Sequence, residues 1–227
     1  MNSCKKLRDL LKGPELIMAP GVADALNARL VAEANFKAIY MTGSGTTASR
    51  LGMPDIGLLS VSEMVDNASR IADASGLPLI SDADTGYGGP LNVHRTIRMF
   101  EKAGAAGVHI EDQNWPKRCG HLSGKTIIPA REMVSKVQAA CDGRVDDNFV
   151  IIARTDALAL EGLNSALDRA EQYAEAGADI IFVESPSTME EIETIPKNIS
   201  KPTLYNMAAS GKTPFLKNNE IEKFGFK

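Results

Sequence analysis

A repeated segment constrains the fold more than any other feature of this chain. Residues 102–112 read KAGAAGVHIED, and residues 175–185 read EAGADIIFVES. In each copy a helical pattern ends, the chain turns at Ala-Gly-Ala, and a short apolar strand finishes at an acid, Glu111 or Glu184. A helix that leads through a tight turn into a buried strand is one step of a parallel α/β fold.

A weaker third copy, EANFKAIYMTG at residues 33–43, supports the same interpretation. Asn35 stands there in the place of Gly104 and Gly177, and Thr42 stands in the place of the acid. Glycine and asparagine are the residues that most readily adopt the left-handed conformation that follows the end of a helix. We therefore predict that all three residues end helices and that each copy delivers a polar side chain to one edge of the sheet.

Seven short apolar runs alternate with amphipathic segments along the whole chain. The runs are ELIMAP (15–20), KAIYMT (37–42), LPLISDAD (77–84), GVHIED (107–112), FVIIART (149–155), DIIFVES (179–185) and PTLYNM (202–207). Runs of this length with β-branched residues are typical of buried parallel strands. Two capping boxes, Ser60 with Glu63 and Ser187 with Glu190, predict the starts of two of the helices that lie between these runs. The alternation predicts an α/β protein, a (β/α)8 TIM-type barrel.

The predicted barrel lacks its last strand. After the seventh run comes a helical pattern, PFLKNNEIEKFG, and an eighth strand would begin at residues 225–227. A barrel of this type typically takes about 250 residues. We expect residues 1–227 to form one barrel domain, truncated before strand eight, with its C-terminal part missing. A longer encoded reading frame would confirm this expectation.

The composition narrows the classes of function. The 227 residues are 44% hydrophobic and carry a formal net charge of −4. These values exclude a mainly disordered chain and give no global attraction to nucleic acid or to an anionic membrane. Apolar runs stay well below the roughly 18–20 residues that a membrane span needs, and three scattered cysteines do not form a disulfide framework. We expect a soluble, cytoplasmic protein with no nucleic-acid or membrane partner.

Polar residues collect at the C-terminal ends of the predicted strands. This rim is the catalytic face of a (β/α)8 barrel. In chain order the rim residues are Tyr40, Thr42, Gly43, Ser44, Asp82, Asp84, Glu111, Asp112, Arg154, Asp156, Glu184 and Asn206. Their concentration on one face predicts a catalytic or binding site there.

Asp82 and Asp84 are the clearest pair on this rim. They are two residues apart, so their side chains point the same way from a strand. Two adjacent carboxylates repel each other unless a cation or a proton lies between them. Mg²⁺, which takes one or two carboxylates plus waters, is the natural partner. A turn-forming aspartate pair before TGYGG is the alternative.

Two other rim segments suit an anionic ligand. TGSG, residues 42–45, can cradle an anion with backbone N–H groups, and a plain turn fits the same letters. Arg154 ends the apolar run FVIIA, where a guanidinium needs a partner. Its fork suits a substrate carboxylate or Glu184, and a purely structural ion pair is the alternative.

The segment KRCGH, residues 117–121, places a thiol among cations. Lys117 and Arg118 favour a thiolate at Cys119, and His121 can share a proton with the thiol or with an anionic ligand. Zinc is disfavoured because no second ligand pair stands at finger-like spacing. An exposed basic loop with an incidental cysteine is the alternative.

Three motifs together carry a family resemblance. KRCGH after EDQ, with SDADTGYG upstream and ARTDAL downstream, resembles the isocitrate lyase and phosphoenolpyruvate mutase superfamily. The chain is most similar to the branch that contains 2-methylisocitrate lyase, dimethylmalate lyase and oxaloacetate hydrolase. The resemblance runs from APGVADALNARL to YNMAASGKTP. It implies a (β/α)8 barrel, a last helix exchanged between subunits and a homotetramer.

The resemblance also implies the ligands of the site. Mg²⁺, with Mn²⁺ as a substitute, would be held by Asp84, with Asp82, Asp55 and Glu111 acting largely through waters. The substrate would be a small carboxylic acid. The residues implied to bind it are Thr42, Gly43, Ser44, Arg154, Glu184, Asn206 and Thr213.

The implied chemistry is cleavage of a 2-hydroxy acid. The substrate loses its hydroxyl proton, the neighbouring C–C bond breaks, and a 2-oxo acid and a carboxylate-stabilised carbanion result. Cys119, on a loop that closes over the substrate, would protonate that carbanion as the general acid. Lys117, Arg118 and His121 would stabilise the charge that develops. Tyr40 is a candidate for handling the hydroxyl proton, and a packed strand tyrosine is the alternative.

The leading hypothesis is therefore a Mg²⁺-dependent carbon–carbon lyase acting on a 2-methylisocitrate-like acid. An oxaloacetate hydrolase and a phosphonomutase-type enzyme are alternatives on the same site. Release of a 2-oxo acid separates the first from the hydrolase, and the presence of Cys119 disfavours the mutase. An inactive, truncated barrel is a further alternative.

Overall fold

The structure, a computed structural model, describes residues 2–120, 124–209 and 211–227. Within these ranges seven strands form one parallel sheet in chain order. The strands are β1 (Gly21–Val22), β2 (Ile39–Met41), β3 (Leu79–Asp82), β4 (Gly107–Glu111), β5 (Val150–Thr155), β6 (Ile180–Val183) and β7 (Thr203–Leu204). The predicted α/β barrel class, with seven strands, is confirmed.

Helices lie between successive strands, as a parallel sheet requires. They are α1 (Ser3–Lys12), α2 (Ala25–Glu33), α3 (Gly43–Leu51), α4 (Val61–Ser75), α5 (Pro90–Lys102), α6 (Ala130–Gly143), α7 (Leu158–Glu161), α8 (Leu163–Glu175), α9 (Met189–Thr194) and α10 (Asn218–Phe224). Of the helices that the structure describes, none is both long enough and apolar enough to cross a bilayer.

No eighth strand closes the sheet within the described residues. Lys227 instead joins its two edges, because its N–H donates to the Thr203 carbonyl at 3.0 Å and its carbonyl accepts from Ile17 N at 2.8 Å. Residue 227 therefore lies between β7 and the segment before β1. In a closed barrel the eighth strand occupies this place.

The first strand begins later than the sequence predicts. The run at residues 15–20 was predicted as the strand, whereas β1 comprises only Gly21 and Val22. Pro20 has no N–H to donate, so it contributes to the ladder only through its carbonyl, which accepts from Tyr40 N at 3.0 Å. The ladder with β2 therefore starts at the end of the predicted run.

One of the two predicted capping boxes is present and the other is displaced. Ser60 caps α4 together with Glu63, as predicted. The prediction at Ser187 was wrong, because the box that caps α9 lies one residue later, at Thr188 and Glu191. Ser187 donates its N–H and its hydroxyl to the same Glu191 carboxylate, which leaves it outside the helix.

The repeat has the conformation that its sequence predicts. Asn35, Gly104 and Gly177 have φ values of 64°, 91° and 112°, all in the left-handed region, and they follow α2, α5 and α8. Asparagine tolerates this region better than most residues with a side chain. The three copies therefore turn from helix to strand in the same way.

Alternation along the strands separates the inside of the sheet from its outside. Val150, Ile152 and Ile180 share an apolar cluster with Leu7 of α1. Ile151, between the first two, belongs instead to the larger core beneath the helices. Successive strand residues point to opposite faces, so every second residue of a strand faces the interior. This alternation also fixes the side on which the rim residues lie.

Candidate active site

The interior of the sheet opens into a cavity of about 570 Å³. The predicted site residues that line it are Tyr40, Thr42, Ser44, Asp55, Asp82, Glu111, Lys117, Arg118, Cys119, Arg154, Glu184 and Asn206. Apolar side chains of the inner cluster form its other end. The cavity is large enough for a small acid.

The strand period explains why these polar residues meet. Asp82 follows the inward-facing Ile80 by two residues, and Arg154 follows Ile152 in the same way. Glu184 continues the inner face of β6 beyond its last residue. The inward faces of β3, β5 and β6 are therefore apolar at the N-terminal end and charged at the C-terminal end.

Four predicted residues lie elsewhere or cannot be placed. Gly43 does not line the cavity, and its N–H donates to Asp82 Oδ2 at 3.1 Å. Asp84 lies behind the lining, buried against Lys117. Thr213 is also buried away from the cavity, and its hydroxyl has no hydrogen-bond partner in the described part of the chain. His121 lies outside the described residues.

Lys117 is the central cation of a carboxylate cluster. Its Nζ lies 2.7 Å from Asp55 Oδ1 and 2.6 Å from Asp84 Oδ1, and the residue is only 2% exposed. Burial alone would lower the pKa of Lys117, but Asp84, Asp82 and the other carboxylates outweigh it and raise that pKa well above its usual value. Lys117 is therefore a permanent ammonium ion.

The two aspartates of the predicted pair differ in their environments. Burial raises the pKa of Asp84 to about 7 despite the nearby Lys117 ammonium. Burial acts in the same direction at Asp82, but His109 and Lys117 outweigh it and lower the pKa of that carboxyl. Asp82 is thus held ionised, whereas the positive charge around Asp84 does not offset the effect of its burial.

The cluster fits a hydrated divalent cation. Asp55, Asp82, Asp84 and Glu111 supply four carboxylates, and Glu111 Oε1 is buried without a hydrogen-bond donor among the described residues. No ready-made cage of three or more metal-binding side chains occurs in the same ranges. Mg²⁺ does not require one, because it keeps several waters and is usually held by one or two carboxylates.

Tyr40 and His109 form a hydrogen-bonded pair inside the sheet. The Tyr40 hydroxyl contacts His109 Nδ1, and the two rings stack with their centroids 5.8 Å apart. His109 Nε2 lies 3.2 Å from Asp82 Oδ1. Burial raises the pKa of Tyr40 well above its usual value, which keeps the phenol neutral. Tyr40 is thus a packed strand residue that also lines the cavity, with its hydroxyl against His109.

The TGSG segment forms the start of α3. The Thr42 hydroxyl caps this helix by accepting from Gly45 N at 3.1 Å, and the Gly43 N–H is taken by Asp82. Ser44 is exposed in the first turn and lines the cavity. A helix N-terminus attracts anions through its unpaired N–H groups. Ser44 is the member of this segment that is best placed to contact a substrate carboxylate.

Arg154 is held mainly by Asp156, a rim residue to which the sequence analysis gave no partner. Its Nε and Nη2 donate to the two oxygens of Asp156 at 3.0 and 3.1 Å. Its Nη1 lies 3.3 Å from Glu111 and 3.5 Å from Glu184. The fork is thus occupied by a buried acid, and Nη1 is directed toward the cavity carboxylates.

The segment before Cys119 is fixed by its neighbours. Gln113 donates to the Arg118 carbonyl at 2.8 Å and accepts from the Arg118 N–H at 2.9 Å. The Cys119 N–H donates to the Asp55 carbonyl at 3.1 Å. The half-buried Cys119 therefore lies next to Asp55 of the carboxylate cluster through its backbone, and it lines the cavity.

Three residues of this arrangement, His109, Gln113 and Lys125, were not identified from the sequence, and neither were the partners of Asp156. His109 could have been found from the period of β4, because it precedes the inward-facing Glu111 by two residues. Asp156 was on the rim but was given no partner. Nothing in the sequence alone signals that Lys125 returns to Asp156, at 2.6 Å, from a loop 31 residues earlier.

Comparisons with known proteins show which family this chain resembles. The family model of phosphoenolpyruvate phosphomutase matches residues 7–227. A 2,3-dimethylmalate lyase of Eubacterium barkeri is 50% identical over 226 residues, covering 100% of this chain and 78% of the relative. A 2-methylisocitrate lyase of Halalkalibacterium halodurans is 44% identical over 221 residues, covering 97% of this chain and 73% of the relative. These relatives confirm the prediction of a carbon–carbon lyase.

Solved structures give the same result. A crystal structure of 2,3-dimethylmalate lyase, a member of the phosphoenolpyruvate mutase and isocitrate lyase superfamily, superposes with a TM-score of 0.96 at 39% identity, covering 100% of this chain and 77% of that one. Oxaloacetate acetylhydrolase with 3,3-difluorooxalacetate gives 0.96 at 43%, covering 99% and 78%. Phosphonopyruvate hydrolase with oxalate and Mg²⁺ gives 0.82 at 33%, covering 89% and 71%. With its barrel, its rim and its KRCGH segment, this chain belongs to the phosphoenolpyruvate phosphomutase family, within the superfamily that includes isocitrate lyase.

Proposed function

We propose that this chain is a Mg²⁺-dependent lyase that cleaves a 2-hydroxy di- or tricarboxylic acid to a 2-oxo acid and a second carboxylate. The observation that carries the proposal is the cavity itself, which joins a half-buried thiol, a carboxylate cluster and an arginine. Relatives named for 2,3-dimethylmalate and 2-methylisocitrate support a branched acid of this type as the substrate.

Substrate binding rests on three groups that face the cavity. Ser44 offers its hydroxyl and the N-terminus of α3 to one carboxylate. Arg154 offers Nη1 to the end of the substrate that becomes the 2-oxo acid, and Asn206, which follows β7, supplies an amide. These groups would hold the acid with its hydroxyl toward Tyr40.

The metal-binding residues would be Asp84 and, through waters, Asp82, Asp55 and Glu111. Bound there, Mg²⁺ would act as a Lewis acid on the oxygen that becomes the 2-oxo group. The buried Glu111 oxygen without a donor supports this assignment, as does the magnesium in the related phosphonopyruvate hydrolase. Lys117 keeps the rest of the cluster partly neutralised.

The two proton transfers balance. The neutral Tyr40 hydroxyl accepts the proton of the substrate hydroxyl while it passes its own proton to His109 Nδ1. The C–C bond then breaks, and its electron pair stays on the carbon beside the second carboxylate. Cys119 Sγ donates a proton to that carbon, and the positive charges of Lys117 and Arg118 favour the thiolate that is left.

An oxaloacetate hydrolase is the second candidate, because the oxaloacetate acetylhydrolase structure is as similar to this chain as the dimethylmalate lyase structure is. A substrate panel decides between them. 2,3-Dimethylmalate, 2-methylisocitrate, isocitrate and oxaloacetate would each be incubated with the protein, with Mg²⁺ or with a chelator. We expect Mg²⁺-dependent release of pyruvate or glyoxylate. Oxalate formed from oxaloacetate would establish the hydrolase instead.

A separate binding measurement tests the alternative that the barrel is inactive. Oxalate resembles a 2-oxo acid and binds with Mg²⁺ in a related enzyme. If the site is formed, Mg²⁺ and oxalate together should raise the melting temperature, because a ligand that binds only the folded state stabilises it. No turnover together with no stabilisation would favour a barrel that does not function as an enzyme.

A further inference from the structure

A buried lysine connects the segment that carries Cys119 to the end of a strand. Lys125 is 7% exposed, and its Nζ lies 2.6 Å from Asp156 Oδ1 and also donates to the Gly120 carbonyl. An ammonium ion this deeply buried is stable only when it is paired. Its two partners belong to different parts of the fold, because Asp156 follows β5 and Gly120 follows the thiol.

The strand side of this connection is firmly held. Asp156 is fully buried, and its carboxylate also accepts both bonds from the Arg154 fork. Its N–H donates to Asp112 Oδ1 at 2.9 Å, and the other oxygen of Asp112 accepts from the Tyr173 hydroxyl at 2.8 Å. One carboxylate therefore serves the arginine and the lysine together, on a backbone that cannot shift easily.

The peptide of Gly120, which follows Cys119, is closely packed. A Cβ at Gly120 would lie 2.1 Å from Arg154 Nη2 and 2.6 Å from Glu184 Cγ, so the Gly120 peptide rests directly on these side chains. A small displacement of this peptide would lift Cys119 away from the cavity. The carbonyl of Gly120 accepts from Lys125 and, more weakly, from the Ser185 hydroxyl at 3.5 Å.

We propose that Lys125 is a positioning residue, which acts through Gly120 to hold the Cys119 thiol at the level of Arg154. It does not line the cavity. The catalytic purpose of this anchor rests on the proposed function, in which Cys119 is the proton donor. The anchor itself, meaning the link that Lys125 makes between the Gly120 carbonyl and the Asp156 carboxylate, rests only on these two contacts.

Amide hydrogen exchange of residues 114–120 tests the anchor without a substrate. Lys125→Met removes the ammonium, and Lys125→Arg keeps the charge. Lys136→Met is the matched control, because Lys136 is another buried lysine, 5% exposed, that donates to a carbonyl, that of Thr85, away from Cys119. A hydrogen bond to a charged group is strong enough that its loss should speed local exchange by about tenfold or more. We expect this increase in Lys125→Met alone.

Steady-state kinetics of the same variants test the positioning role. In Lys125→Met, kcat on the substrate found in the panel should fall by at least about tenfold, while inhibition by oxalate changes less than about threefold. Lys125→Arg should recover much of kcat. Unchanged exchange in Lys125→Met would overturn the anchor, and faster exchange with an unchanged kcat would overturn its role in positioning. A wild type that cleaves no acid would overturn the proposed function and with it the purpose of the anchor, while exchange would still report whether the anchor exists.

Discussion

Replacing Asp156 with asparagine should destabilise the fold to a degree that the structure allows us to estimate. Asp156 is fully buried and compensates two cations, since it accepts from Arg154 at 3.0 and 3.1 Å and from Lys125 at 2.6 Å. Burial alone would raise the pKa of Asp156, but these two cations outweigh it and hold that pKa below its usual value. Asparagine keeps the shape and removes the charge, so both cations lose their main partner.

Removing one partner of a buried ion pair costs roughly 3–5 kcal/mol. Glu111 and Glu184 still face Arg154, at 3.3 and 3.5 Å, which places this case near about 3 kcal/mol. For a chain of this length each kcal/mol lowers the melting temperature by roughly 2–4 °C, so Asp156→Asn should melt about 6–12 °C below the wild type.

Urea unfolding followed by circular dichroism gives the free energy of unfolding directly. Asp147→Asn is the control, because Asp147 is exposed and should change the stability by less than about 0.5 kcal/mol. A loss below about 1 kcal/mol in Asp156→Asn would refute the reasoning. Such a result would mean that groups other than Asp156 balance the positive charges of Arg154 and Lys125.

Three further predictions concern a close contact, the metal and a buried thiol. Gly120→Ala should lower kcat by about tenfold or more, because its Cβ would overlap Arg154; an unchanged kcat would show that the Gly120 peptide moves freely. Asp84→Asn should abolish the rise in melting temperature that Mg²⁺ gives the wild type, and a retained rise would remove Asp84 from the metal site. Burial, with nearby acids, raises the pKa of Cys4 to about 11. At pH 9 iodoacetamide should therefore modify Cys119 and spare Cys4, of which only about one in a hundred is then ionised. Since the unfolded thiol loses its proton at lower pH, stability should also fall from about pH 9 to pH 11, and rapid labelling of folded Cys4 at pH 9 would contradict the assigned shift.

The parts of the fold that follow from local rules were predictable from the sequence. The repeat predicted the left-handed residues Asn35, Gly104 and Gly177, and the strand ends predicted that Asp82 and Arg154 would lie on one rim, where both line the cavity. These rules act over a few residues and hardly depend on the rest of the chain.

Features that depend on tertiary packing were not predictable in the same way. Arg154 was predicted to pair with a substrate carboxylate or Glu184, or to form a purely structural ion pair. Its Nη1 does lie 3.5 Å from Glu184, but its Nε and Nη2 donate to Asp156, two residues away on the same strand end, and the sequence did not indicate this partner. Lys125 belongs to a loop, and its side-chain partners are decided by where that loop packs. The start of β1 was also misplaced, because Pro20 restricts pairing with a neighbour that is distant in sequence.

In the proposed function, Cys119 supplies the proton in a Mg²⁺-dependent cleavage. This role is tested most directly by the rate of 2-oxo acid release from 2,3-dimethylmalate and 2-methylisocitrate, in the wild type and in Cys119→Ser. We predict that wild-type release is abolished by a chelator and restored by Mg²⁺. In the variant the rate of release should fall by several orders of magnitude, because serine is a much weaker acid than cysteine. Mg²⁺ with oxalate should still stabilise the variant. Cleavage at a wild-type rate by Cys119→Ser, or release that persists without metal, would contradict the account.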